Sequence, residues 1–204
     1  IILHETGLNT QAADILKQAL ATSGQQVSIL HNYGLVLRAQ GKFSAAAVVF
    51  RQIVATVPTE ISSWYNLGEV EFLEDKFEDA VRAFEKVLEQ DPDSLSARIK
   101  LGVALRKMGC LEEARNYFQD IIIIDPKNVA AQNNIGIVET ELDNLSGAKI
   151  AFQTALSVEP SYSDAHFNLG NVYWKEKNYE VAAECFQKAL ELEEDNKVAY
   201  YHLA

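Results

Sequence analysis

The 204-residue chain is 48% apolar and 23% charged, with a net charge of −11. That composition builds a sizeable core and excludes a disordered chain, while the negative balance argues against nucleic acid and anionic membrane as partners, since their phosphates would repel it. No apolar run reaches the ~18 residues needed for membrane insertion, and two cysteines, Cys110 and Cys185, are too few for a disulfide framework, so a cytoplasmic or other intracellular compartment is expected.

Taken in chain order, the elements recur every 34 residues. Residues 1–26 read as the second half of a unit, with Ala12, Leu16 and Ala19 at small, large and small core positions. Five complete units follow at 27–60, 61–94, 95–128, 129–162 and 163–196, and residues 197–204 start another with Tyr200 and Leu203. The chain is therefore expected to be a segment of a longer array. With each unit numbered so that its glycine is position 8, the glycines are Gly34, Gly68, Gly102, Gly136 and Gly170. Position 20 is Ala46, Ala80, Ala114, Ala148 and Ala182; position 24 is Phe50, Phe84, Phe118, Phe152 and Phe186. Position 32 is Pro58, Pro92, Pro126 and Pro160, with Glu194 in the last unit.

Each unit predicts two helices, A over about positions 2–14 and B over about 18–31, joined by a turn at positions 15–16 such as Gly41-Lys42 or Asp75-Lys76. The proline near the end has no N–H to continue a helical ladder and marks the stop. No stretch alternates as a strand does, so the fold is expected to be all-α. A lone glycine inside a helix costs about 1 kcal/mol relative to alanine, so position 8 calls for a packing reason. Small residues at positions 8 and 20 would let helix A approach helix B, with Ala80, Ala114 and Ala148 buried at the crossing. In "IIIIDP", Ile121, Ile122 and Ile124 fall on core positions and Ile123 points outward.

This pattern resembles the tetratricopeptide repeat family. "WYNLGEVE" at 64–71 and "HFNLGNVY" at 166–173 match the family's first helix, and "AVRAFEKVLEQDP" at 80–92 matches its second. The resemblance covers the whole chain. It implies a right-handed superhelical solenoid of antiparallel helix pairs, with helix A lining a concave groove that takes extended peptides or partner helices.

A helix turns about 100° per residue. Positions 4, 7, 8 and 11 of helix A share the core arc, and positions 2, 5, 6, 9, 12 and 13 face away from it, toward the groove. Position 6 reads Asn32, Asn66, Lys100, Asn134 and Asn168, followed by His202. A primary amide donates and accepts, so such a row could hold a peptide backbone whatever its sequence. The row resembles the asparagine ladder in the tetratricopeptide region of O-linked N-acetylglucosamine transferase. Arg38, Phe72, Arg106 and Trp174 at position 12, Tyr65 and Phe167 at position 5, and Asn171 at position 9 complete the candidate binding set; aromatics and arginine are favoured interface anchors. The groove arc is slightly basic, with Arg38, Lys100, Arg106, Lys107 and Lys175 against Glu69, Glu141 and Asp164.

Several readings weaken. A clamp for a C-terminal carboxylate would need lysine and asparagine where His31 and Leu35 stand, or, in the other register, where Ile99 and Val103 stand. His4, His31, His166 and His202 do not pair with a cysteine at metal-ligand spacing, and each helical glycine is isolated rather than part of a phosphate loop. No catalytic residue, metal or cofactor is expected. Two function classes remain. One is an interaction scaffold binding a protein or peptide segment in the groove, as a subunit of a larger assembly. The other is the substrate-recruiting arm of a larger enzyme such as a protein glycosyltransferase.

Overall fold

A computed structural model describes residues 26–193 together with Gln11, Asp14, Ile15, Leu16 and Gln18. The expectations for Ala12, Ala19, Glu194, Tyr200, Leu203, His4 and His202 lie outside the described residues, as do most of 1–26 and all of 197–204. Among the described residues the ordered elements are all α-helices. Two compact units divide the chain, Ile1–Met108 and Gly109–Ala204.

The first unit contains α1 (Val27–Ala39), α2 (Phe43–Thr56), α3 (Ile61–Leu73), α4 (Phe77–Gln90) and α5 (Leu95–Lys107). Each helix packs on its chain neighbour, and α3 also touches α1 and α5. The second unit contains α6 (Leu111–Ile124), α7 (Val129–Glu141), α8 (Leu145–Val158), α9 (Ser163–Lys175) and α10 (Tyr179–Leu192), packed in the same succession, with α7 also on α9. A helices therefore form one row in each unit and B helices the other.

In the five complete repeats each A helix has 13 residues and each B helix 14, and both begin one position earlier than expected. The turn sets this. Position 15 is left-handed in every repeat: Gly41, Asp75, Gly109, Asp143 and Lys177 all have positive φ. The following N–H then reaches back to the carbonyl at position 11, as Lys42 does to Leu37, Lys76 to Glu71, Asn144 to Glu139 and Asn178 to Tyr173. This Schellman closure ends helix A sharply and frees position 17 to start helix B. At the far end, Val57, Asp91, Asp125 and Glu159 leave the helix at φ between −129° and −132°. Each precedes a proline, whose ring disfavours the helical region for the residue before it.

The core follows the repeat. The position-20 alanines are all fully buried, as are the position-24 phenylalanines to within 1%. The helical glycines answer those rings. A Cβ on Gly34, Gly68, Gly136 or Gly170 would stand 2.5–2.7 Å from the phenylalanine 16 residues later. Helix A has no side chain at position 8 because the ring from helix B lies against its backbone. One expectation fails: Ile121 is buried, but Ile124 is 56% exposed alongside Ile123 at 78%. Ile124 is the last residue of α6, where the chain already turns away from the core toward Asp125.

Candidate protein-interaction face

Position 4 shows how unlike residues take one role. Trp64 Nε1 donates to the Pro58 carbonyl at 2.8 Å, Arg98 Nη2 donates to Pro92 O at 2.5 Å, and His166 Nε2 lies 2.9 Å from Pro160 O. Each fastens the start of helix A to the proline turn before it. Sequence reasoning missed this, although the signal was present: all three carry a ring or guanidinium N–H that reaches back six residues.

The position-6 side chains divide. Asn32 is exposed. Asn66 is only 9% exposed and fully engaged, its Nδ2 donating to Ser62 O at 2.7 Å and its Oδ1 accepting from Arg38 Nη1 at 2.9 Å. Asn134 bonds back in the same way to Ala130 O at 2.8 Å, and Asn168 donates to Asn133 Oδ1 at 3.1 Å. Lys100 reaches across from α5 to Glu69 on α3 at 2.8 Å, and Glu69 also lies 3.7 Å from Arg38 on α1. Arg38, Asn66, Glu69 and Lys100 thus form a polar strip that ties together the three A helices of the first unit. Part of what the sequence assigned to a ligand also holds neighbouring repeats to one another.

The aromatic candidates are also partly occupied. Tyr65 packs edge-on against Phe84 with centroids 5.7 Å apart, and Phe167 tilts over Phe186 at 5.5 Å. Phe72 meets Phe77 at 5.3 Å and Trp174 meets Tyr179 at 4.8 Å. Position 5 therefore extends the core ring, and position 12 closes over the first residue of helix B. Trp174 stays 45% exposed. Asn171 and Arg106 are half-buried. Lys175, on the same face, donates to Thr140 O at 3.1 Å.

The open space on this face repeats with the chain. A cavity of about 450 Å³ is lined by Val27, Ser28, His31, Asn32, Glu60 and Ser62. A second, of about 250 Å³, is lined by Ile61, Ser62, Tyr65, Asn66, Val87, Ser94 and Ser96. Positions 1, 2, 5 and 6 of one A helix and position 2 of the next form both. His31 Nδ1 lies 2.9 Å from Ser63 Oγ, which bridges the two helices beside the first cavity.

Glu71 and Glu139 also escaped sequence reasoning. Both occupy position 11, a core position held by Leu37 and Leu105 in other repeats, and they are 1% and 8% exposed. Glu71 takes the Arg51 guanidinium, and Glu139 accepts from Asn144 Nδ2 at 2.8 Å with Arg115 Nη1 at 3.7 Å. Burial pushes the Glu71 carboxyl above its ordinary value of 4.5, against the lowering fields of Arg51 and Lys76. The two cysteines are free, and burial also pushes the half-buried Cys185 thiol up, away from thiolate reactivity. Among the described residues there is no cluster of three metal-ligating side chains and no helix long and apolar enough to cross a membrane.

Sequence profiles described as tetratricopeptide repeat match residues 34–94, 71–135 and 163–196. The chain belongs to the tetratricopeptide repeat family. No curated protein sequence matches it significantly. Among solved structures it is similar to YrrB, described as a tetratricopeptide repeat protein with an unusual peptide-binding site, at 21% identity and TM-score 0.65, covering 93% of this chain and 97% of that one. It is similar to residues 41 to the end of MamA from Desulfovibrio magneticus RS-1, at 21% identity and TM-score 0.72, over 85% and 98% of the two chains. It is also similar to a chain of the APC/C hetero-tetramer Cut9–Hcn1, at 19% identity and TM-score 0.77, over 98% of this chain and 40% of that one. At these identities the likeness concerns the fold: an all-α tetratricopeptide solenoid.

Proposed function

We propose that this tetratricopeptide chain is a non-catalytic scaffold whose A-helix face holds an extended protein segment or partner helix, as a subunit of a larger intracellular assembly. The repeated cavity carries this reading. Two hydroxyl- and amide-lined hollows recur one repeat apart along α1 and α3, a spacing that suits a ligand running across successive A helices. The similar proteins include one named for its peptide-binding site and one crystallised within a hetero-tetramer, which agrees with a protein partner rather than a nucleic acid.

Within this reading, Asn32 contacts the ligand directly. Asn134 and Asn168 each already donate one amide hydrogen and offer their oxygens as acceptors. That arrangement is the part of the asparagine row that can work like the ladder of O-linked N-acetylglucosamine transferase. Asn66 serves mainly to align Arg38. An acidic group of the ligand competes with Glu69 for Lys100.

The test is to capture the partner by affinity purification and measure its affinity for variants. Asn32→Ala, Asn134→Ala and Asn168→Ala together should weaken binding by about 0.5–1.5 kcal/mol per neutral hydrogen bond lost. Lys100→Glu should weaken it further, with an effect that shrinks at high salt. Wild-type affinity in both variants, with binding abolished by changes on the B helices, would overturn the assignment.

A further inference from the structure

Over α3, helices α2 and α4 leave a cleft of about 550 Å³ between the B helices of the first unit. Glu71 lines it at 1% exposure. One of its oxygens takes Arg51. The other, Oε2, accepts no hydrogen bond, and Lys76 Nζ stands 4.0 Å from it. A buried charged oxygen without a donor is costly and rare, so this one calls for a donor from outside. The cleft's other lining charges are mixed, with Arg51, Arg82 and Lys86 against Asp79, Glu85 and Glu89, and Arg51 is the cation already held by Glu71. Arg82 pairs with Asp79 and Lys86 with Glu89, so these cations are already matched, and Glu85 adds a further negative charge. Trp64 lines the same cleft, and an indole is the aromatic surface that best favours a cation.

We propose that this cleft binds an arginine side chain presented by a partner protein segment, its guanidinium meeting Glu71 Oε2 and its stem lying on Val54, Leu67 and Ala83. Arginine fits better than lysine because its planar fork can engage Glu71 and stack on Trp64 together. The cleft's volume falls in the range of about 300–1,000 Å³ that encloses small ligands, which leaves room for the side chain and its flanking backbone. Its floor is formed by positions 4, 7 and 11 of α3 and its walls by the B helices α2 and α4, so it draws on none of the positions that line the A-helix groove.

The experiment is a chemical-shift titration of the isotopically labelled chain with acetyl-Gly-Arg-Gly-amide and with its uncharged citrulline counterpart. The arginine peptide should shift the Trp64 indole N–H and the amides of Leu67 and Glu71, and the citrulline peptide should leave them in place. Glu71→Gln should weaken binding about tenfold, the loss expected for a charge-assisted hydrogen bond. Glu85→Gln, which alters an exposed residue and leaves the fold intact, should weaken it about two- to threefold. The proposal fails if the shifts scatter over the acidic surface without Trp64 and Glu71, if citrulline binds as well as arginine, or if Glu85→Gln and Glu71→Gln both bind like wild type.

Discussion

Gly136→Ala sets two effects against each other. In an isolated helix the change gains about 1 kcal/mol of propensity. In α7 the new Cβ would lie 2.5 Å from Cε1 and 2.6 Å from Cζ of Phe152, where ordinary contact begins at 3.4 Å. The ring must therefore retreat by about 0.9 Å. Phe152 is 1% exposed and packs with Ala148, Ala155, Ala165 and Leu169, so retreat means displacing a close-packed neighbourhood. Overpacking of this kind costs roughly 1–3 kcal/mol, and with the propensity gain subtracted the variant should be about 0–2 kcal/mol less stable. Urea unfolding followed by circular dichroism gives the sign directly. The double variant Gly136→Ala with Phe152→Leu should recover part of the loss relative to the sum of the two single changes, because the shorter side chain makes room. If Gly136→Ala alone stabilises the chain, position 8 is not held by its phenylalanine and the packing account of the repeat is wrong.

Two other outcomes are expected. Lys177 has φ of +64° where other repeats place Gly41 and Gly109, so Lys177→Gly should stabilise by about 0.5–1 kcal/mol once the entropy of glycine is set against the left-handed penalty; an unchanged melting temperature would show that the turn carries no strain. Burial is the largest influence raising the Glu71 carboxyl, with Asp79 and Glu74 adding to it and Arg51 and Lys76 opposing. A folded value above the unfolded one means that the stability this carboxyl contributes is present at low pH and lost as pH rises through the raised value. Wild type should therefore lose stability relative to Glu71→Gln as pH rises above the ordinary carboxylate value of 4.5, and a difference that stays flat as pH rises would refute the assignment.

The 34-residue period carried most of the fold, because positions 8, 20 and 24 solve one local packing problem that every repeat poses alike. Helix ends were off by one position because they depend on a left-handed residue that aspartate, lysine or glycine supplies in different repeats, and only backbone closures such as that of Lys42 on Leu37 show where the turn ends. Glu71 and Glu139 were hidden for a different reason. Their partners, Arg51 and Arg115, come from the preceding B helix, and nothing in the spacing of helix A announces a cation there. The candidate face was located by helical angle alone, which cannot tell an asparagine that waits for a ligand from one that bonds its own helix. Asn32 is exposed, while Asn66 is taken at both ends of its amide by Ser62 and Arg38.

The scaffold reading is tested most directly by hydroxyl-radical footprinting of the chain with and without its captured partner. Bound protein on the A-helix face should protect Tyr65, His31 and Trp174 from oxidation, while Val48, Ile123 and Ile150, exposed on the B helices, keep their reactivity. Protection of Val48, Ile123 and Ile150 with Tyr65, His31 and Trp174 unchanged would contradict it.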